Sequence, residues 1–325
     1  MRIATFNLES LDLPPRADVP LEDRVRLLRP QLKRLDADIL CLQEVNGQHR
    51  KGAAFRTLDA LDTLLLETRY ASYERAATTG PGGQGVADVH NLVTLSRWPI
   101  VGHREIRHAI TPPLSYRVLT STPPEERATS ITFERAILLC EVRSPDLSLT
   151  VLNVHFRAPL ATVIPGQKEA PFVWNTVSGW AEGYFLSAWK RTAQALEARI
   201  TVDRLFDVDD NKAIVVAGDF NAEDHETPLK ILVGAEEDTG NGRLAARSLV
   251  VLDRSLPADR RFSTLHHGRP QMLDHVLACR SLLARFRSIE VHNETLNDEL
   301  VGFGRTRHAG ESYHAPLLAE FASEQ

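Results

Sequence analysis

The residues best suited to chemistry are Asp219 and Asn221, in the segment GDFNAE from Gly218 to Glu223. They follow a β-branched apolar run, Ala213-Ile214-Val215-Val216-Ala217, of the kind that forms a buried strand. Their i, i+2 spacing puts both side chains on one side of an extended chain. A carboxylate beside a carboxamide suits an oxygen nucleophile: the acid takes a proton and the amide orients without adding charge. A polar turn after a core strand uses the same residue types, so the pair takes its meaning from the rest of the sequence.

That pattern recurs. Arg2 to Glu9 reads as a strand ending in Asn7 and Glu9, and Asp38 to Val45 as a buried strand ending in Gln43 and Glu44. Leu149 to His155, Met272 to Leu277 and Glu311 to Phe321 carry Asn153 and His155, Asp274 and His275, and His314 in the same way. One such block means little. Six in one chain point to a single site built from many strand ends.

In order, TFNLE, LQEV, LSRWPI (Leu95 to Ile100), LNVH, GDFNAE, LDHV and YHAPL span Asn7 to Leu317. This series resembles the endonuclease/exonuclease/phosphatase superfamily, the DNase-like metal-dependent phosphoesterases. The resemblance implies an α+β fold: a four-layer αββα sandwich of two mixed, mainly antiparallel sheets flanked by helices. It also implies a Mg²⁺ cofactor, for which Mn²⁺ substitutes. Glu44 matches the family's metal-binding glutamate, Asn7 the neighbouring asparagine, and Glu9 an acidic position that helps hold metal. Asp219 matches the residue that orients or deprotonates the attacking water, and Asn221 its partner. His314 matches the histidine that meets the scissile phosphate, Asp274 the carboxylate that orients it, and His155 a phosphate contact or proton donor to the leaving group. Arg135 and Asn91 are the expected phosphate-binding residues, with Asn91 preferred over the adjacent His90. By strand alternation His275 points away from Asp274 and is expected in the core. Most relatives carry Asp immediately before the final histidine; here Tyr313 stands there. A neutral phenol is a poor Mg²⁺ ligand, so one metal position is expected.

The resulting expectation is phosphodiester hydrolysis by metal-assisted, in-line water attack. The substrate classes are nucleic acid, nucleotide, inositol phosphate or phospholipid headgroup. The alternative is a non-catalytic protein of the same fold that recognises a phosphorylated ligand. The net charge of −5 argues mildly against a duplex-tracking nuclease, which needs a basic footprint. The inositol-phosphatase signature Pro-x-Trp-Cys-Asp-Arg is missing at Gln271 to His275.

The elements that must position these residues follow from pattern. With 325 residues, 43% hydrophobic and 25% charged, and no break in composition, residues 1–325 read as a single domain. Helices are expected over Leu21–Leu35, interrupted by Pro30, over Phe55–Leu66, and over Ser187–Phe206. Thr78 to His90 is a glycine-rich loop, and Thr111 to Arg127 an excursion between strands. Glu134–Val142 and Leu147–His155 form an antiparallel pair. An irregular, aromatic-rich insertion is expected at about 157–187, with Phe172, Trp174, Trp180, Tyr184 and Phe185. The Arg-rich pieces at Arg260-Arg261 and Arg305 to His308 read as solvated loops. Cys41, Cys140 and Cys279 lie in apolar runs and are expected to be buried and reduced. With no signal peptide and no apolar run of membrane length, the expectation is a cytoplasmic protein without a transmembrane anchor.

Overall fold

The structure is a computed structural model that describes residues 1–13, 19–80, 82–299 and 310–323; the Arg305–His308 segment lies outside them. The first sheet is opened by β1 (Arg2–Leu11), β2 (Ile39–Val45), β3 (Glu74–Ala77) and β4 (Asn91–Ser96). The chain then crosses to the second sheet with β5 (Ile100–Ile106). After the small hairpin β6 (Leu114–Tyr116) and β7 (Thr129–Ile131), it adds β8 (Ile137–Arg143) and β9 (Ser148–His155). A second hairpin, β10 (Lys168–Ala170) and β11 (Val173–Trp174), precedes β12 (Ala213–Asp219) and β13 (Leu249–Val251). The hairpin β14 (Thr264–His266) and β15 (Arg269–Gln271) leads into β16 (Asp274–Cys279). Finally β17 (Phe286–Val291) and β18 (Leu317–Phe321) return to the first sheet.

The two large sheets share one plan. The first has the order β17-β18-β1-β2-β4-β3 and the second β13-β16-β12-β9-β8-β5. Each has a single parallel pair at its centre, β1 with β2 and β12 with β9; every other pairing is antiparallel. Helices α1 (Leu21–Leu35) and α2 (Asp59–Leu65) cover the first sheet, and α3 (Val177–Val208) with α4 (Thr227–Val233) covers the second. This is the expected four-layer sandwich.

Side-chain alternation explains the layers. On β1, Ala4, Phe6 and Leu8 pack with Leu28, Leu32 and Leu61 of the outer helices, whereas Ile3 faces the second sheet. Leu40 and Leu42 of β2 point outward in the same way, and Ile39 and Cys41 inward. A fully buried side chain such as Phe6 contributes roughly 1.5–3 kcal/mol. A register slip of one residue would turn every inward group outward, so the core fixes where the polar strand ends lie.

Most expected elements appear where the pattern placed them. α1 runs straight across Pro30, and α2 is confined to Asp59–Leu65 because Gln48 pairs with Thr57 ahead of it. The largest correction concerns the insertion. The third long helix begins at Val177, not Ser187, with the Thr176 hydroxyl accepting from Gly179 N at 3.0 Å as its cap. Gly179 and Gly183 weakened the helical signal there. Both glycines are used for close packing: a Cβ on Gly179 would sit 2.4 Å from Gln167 Oε1, and one on Gly183 2.3 Å from Thr162 O. The aromatics of this region are therefore divided between the β10–β11 hairpin and the first turns of α3. Phe172 is 85% exposed, and Trp180 stacks on Tyr184 with ring centroids 5.5 Å apart. All three cysteines are free and buried. No helix among the described residues is long and apolar enough to cross a membrane.

Candidate active site

The polar residues of the two central parallel pairs meet between the sheets. Asn7 and Gln43 lie opposite each other at the ends of β1 and β2, and Asp219 and His155 at the ends of β12 and β9. The strand ends are distorted to aim them. Asn7 and Leu11 span four residues on β1 against two from Gln43 to Val45 on β2, a bulge that throws Glu9 and Ser10 out of the ladder. Glu9, Ser10, Glu44, His90 and Asn221 all have left-handed backbones, with φ between 48° and 57°. Non-glycine residues rarely adopt this conformation, and such strain concentrates at functional sites. On the other sheet Gly218 has φ 152°, and a Cβ there would lie 1.9 Å from Val154 O. Only glycine lets β9 and β12 approach closely enough to bring His155 beside Asp219.

Asp219 is the hub. Its Oδ2 accepts from Asn7 Nδ2 at 3.0 Å and Asn221 Nδ2 at 3.1 Å, and its Oδ1 from Asn221 N at 2.8 Å. Burial alone would raise its pKa. The charged His314 and the Asn221 N–H outweigh that and hold it well below the usual carboxylate range. His314 Nδ1 lies 2.7 Å from Asp274 Oδ2, and its Nε2 4.0 Å from Asp219 Oδ2. Burial opposes the ring's charge, but Asp274 and Asp219 prevail and raise its pKa well above the ordinary value. His314 is thus an imidazolium facing the cleft. Its backbone is fixed through Ser312, whose Oγ accepts from His314 N at 3.0 Å and donates to Asn7 O at 2.8 Å.

His155 is the opposite case. Arg135 Nη1 lies 2.6 Å from its Nε2 and 2.7 Å from Phe156 O. A guanidinium only donates, so Nε2 accepts and the ring is neutral. Burial, with the Arg135 charge adding to it, lowers its pKa.

Glu44 Oε2 accepts from Ser10 N at 2.9 Å and Ser10 Oγ at 3.2 Å, while Oε1 lies 3.6 Å from His155 Nε2 and 3.8 Å from His90 Nδ1. Glu9 Oε2 accepts from Tyr313 N at 2.6 Å, and Asn7 Oδ1 from Glu9 N at 2.8 Å. Burial pushes the Glu9 carboxyl up to about 7 against the Tyr313 N–H, with the Glu44 charge adding to the rise. Half-buried carboxylates crowded in this way, with an amide oxygen beside them, fit a hard divalent cation that prefers oxygen donors. Two groups of three ligand atoms also lie within 4.8 Å of one another: Glu44, His90 and His155, and Asp219, Asp274 and His314.

Of the expected residues, Asn7, Glu9, Glu44, Arg135, His155, Asp219, Asn221, Asp274 and His314 converge here. Asn91 does not face the cleft. Its amide is fully engaged, accepting from Ala87 N at 2.8 Å and donating to Val45 O at 2.8 Å and Ala87 O at 2.9 Å, so it ties the glycine-rich loop to β2. Its neighbour His90, passed over in the sequence, is the one beside Glu44; its left-handed backbone left no mark in the pattern. His275 is in the core as expected, with Nδ1 3.0 Å from Asp253 Oδ2 and Nε2 2.9 Å from Ala222 O.

Beneath the site a buried polar layer joins the sheets. Gln43 Nε2 donates to Asn153 Oδ1 at 2.8 Å, and Asn153 Nδ2 to Leu42 O and Val93 O at 3.2 and 3.1 Å. Neither residue's role was legible, because each depends on the other sheet.

Residues 4–295 match the Endonuclease/Exonuclease/phosphatase family. The structure is similar to an endonuclease/exonuclease/phosphatase from Bacteroides vulgatus, with a TM-score of 0.59 and 15% identity over 99% of this chain and 98% of that one. A truncated TDP2 from Caenorhabditis elegans superposes with a TM-score of 0.58 and 14% identity over 99% and 97% of the two chains. An AP endonuclease from Archaeoglobus fulgidus gives 0.52 and 16% over 99% of each. At these identities the structures establish the shared fold. No curated protein matches the sequence. The chain belongs to the endonuclease/exonuclease/phosphatase family and is a metal-dependent hydrolase acting on phosphoric ester bonds.

Proposed function

We propose that the enzyme is a Mg²⁺-dependent phosphodiesterase that works by in-line attack of water, with residues 1–325 acting as one domain. The observation that carries this reading is the placement of opposite chemistries across one cleft. Glu44, Glu9 and the Asn7 oxygen crowd one lip, and Asp219 with Asn221 and the His314 imidazolium form the other.

Glu44, with Asn7 and Glu9, would hold the cation, which supplies charge neutralisation at the phosphate oxygens. The Tyr313 side chain is a phenol where relatives carry a carboxylate, which favours one metal position. Asp219 is too weakly basic to pull a proton from free water, so it first orients the nucleophile and accepts the proton as the transition state forms. Asn221, bonded to both Asp219 and Phe156 O, fixes that orientation. His314 and Arg135 carry the fixed positive charge that the pentacoordinate phosphate needs. His155, neutral and next to Arg135, contacts the phosphate or the departing oxygen. The substrate is a small or single-stranded phosphodiester, in keeping with the acidic net charge, and the site of action is the cytoplasm.

Turnover of bis(p-nitrophenyl) phosphate with and without Mg²⁺ tests the reading. Metal-dependent release of nitrophenol is expected. No release with any divalent ion, together with binding of phosphorylated ligands, would instead favour a non-catalytic binding protein.

A further inference from the structure

We propose that a pocket beside the cleft binds a second anionic group carried by the same substrate as the scissile phosphate, making the preferred substrate a doubly phosphorylated molecule. This rests on the phosphodiesterase reading. The pocket has a volume of about 220 Å³ and is lined by Thr78, Thr79, His90, Arg107, Arg135 and Arg157 among others. It opens from the site itself, because His90 borders Glu44 and Arg135 borders His155.

Its charge is unbalanced. The two carboxylates on its wall are already committed: Glu105 Oε1 accepts from Thr79 N and Oγ at 2.5 and 2.7 Å, and Glu134 Oε1 pairs with Lys190 Nζ at 2.6 Å. The three arginines are not. Among the described residues no carboxylate lies within ion-pair distance of Arg107, Arg135 or Arg157. Arg107 Nη1 donates only to the Glu134 backbone oxygen at 2.9 Å. Arg157 Nε is buried without a hydrogen-bond partner, an arrangement that costs free energy until an acceptor arrives. Burial, and after the nearby carboxylates the like charge of Arg157, weigh on the Arg135 guanidinium. An anion between them relieves both conditions. Guanidinium groups bind phosphate through paired N–H donors. One arginine serves the scissile phosphate and the others a phosphate next to it.

Two scaffolds present phosphates in this way, a nucleotide and a phosphorylated inositol, and the test separates them. Hydrolysis of dithymidine monophosphate is compared with that of its 5′- and 3′-phosphorylated forms. In parallel, calorimetry compares thymidine 3′,5′-bisphosphate with the two thymidine monophosphates, and inositol 1,4-bisphosphate with inositol 1-phosphate. One doubly phosphorylated compound is expected to gain about tenfold in kcat/KM or affinity, the scale of a charge-assisted contact. The series that shows the gain identifies the scaffold. Arg157→Gln should erase the gain and Arg157→Lys keep part of it. Arg107→Gln, on an exposed residue whose loss should not threaten folding, should reduce it. The binding arm needs no turnover, so a bisphosphate preference erased by Arg157→Gln would uphold the pocket even where no diester is cut. Equal affinities and rates throughout, or a preference that survives both Gln variants, would overturn it.

Discussion

The two lips of the cleft occupy equivalent places in their sheets yet are built by opposite means. Each lies at the end of the central parallel pair, β1 with β2 on one side and β12 with β9 on the other. On the first sheet Glu9, Ser10 and Glu44 sit in bulged, left-handed backbone, and main-chain N–H groups hold the carboxylates. On the second sheet β9 and β12 stay in continuous register to their last residues, and its side chains hold other side chains: Asn221 on Asp219, and Asp274 on His314, which the segment entering β18 of the first sheet brings across. Gly218 and the left-handed Asn221 are the backbone concessions there. The first arrangement gathers oxygens into a shape. The second sets the charge and protonation of particular groups. On the proposed reading, a single framework divides cation holding from proton and phosphate handling.

That division predicts different failures on the two sides. The largest effect is expected on the second sheet. Asp219→Asn should lower the single-turnover rate by about 10²–10⁴-fold at saturating metal, with the metal requirement unchanged. A variant that regains full rate when metal is raised would place Asp219 on the cation side and erase the contrast.

The second sheet also buries a charged pair, His275 with Asp253. His275 donates from both ring nitrogens, to Asp253 and to Ala222 O, so it is held as an imidazolium. Burial opposes that charge, and Asp253 more than offsets it, raising the pKa. The folded-state value lies above the unfolded value of about 6.5, so this stabilisation is full below about pH 6.5 and fades as pH rises through the folded value. Asp253→Asn should cost roughly 3–5 kcal/mol near pH 6, the scale for stranding one member of a buried pair. The loss should shrink at alkaline pH. Denaturant unfolding at several pH values measures it, and a pH-independent loss would show that only packing, or the Arg261 contact of Asp253, was removed.

On the first sheet, Glu44→Gln should raise the metal concentration for half-activity beyond the ~10–100-fold typical of residues around a ligand, with much of the rate restored at high metal. Isothermal titration with Mn²⁺ reads this directly. Unchanged metal affinity would remove Glu44 from the cation lip. The smallest effect is expected for Ser10→Ala. It deletes one hydrogen bond to Glu44 Oε2 and leaves the Ser10 N–H in place. About 0.5–1.5 kcal/mol is at stake, a shift in metal affinity of a few-fold. A change as large as that of Glu44→Gln would mean that the hydroxyl, not the backbone, shapes the lip.

The sequence carried the second sheet's chemistry more clearly than the first's. Asp219, Asn221, His155 and Asp274 lie on or next to regular strands, where period-two alternation tells which way a side chain points. On the first sheet Glu44 was found by its motif, but its geometry comes from a bulge that no residue type announces. The same applies to His90, whose left-handed backbone brings it to Glu44 while Asn91 turns inward to the loop. The start of α3 was hidden by two glycines kept for close packing. Arg157 and Asn153 were illegible for another reason: their surroundings come from residues far away in sequence.

The Gln43–Asn153 layer bears on how substrate enters. Four hydrogen bonds tie these two side chains across the sheets, one between them and three from Asn153 Nδ2 to Leu42 O, Val93 O and Thr94 Oγ1. Sliding one sheet over the other would break all of them in a dry interior, where unpaired polar groups are costly. Shear between its layers is therefore a costly way to widen the cleft. Admission and release are expected instead at the connections above the strand ends: the glycine-rich segment before β4 and the stretch between β9 and α3. With the distance between the lips tied down by this layer, those connections are where changes in specificity are expected.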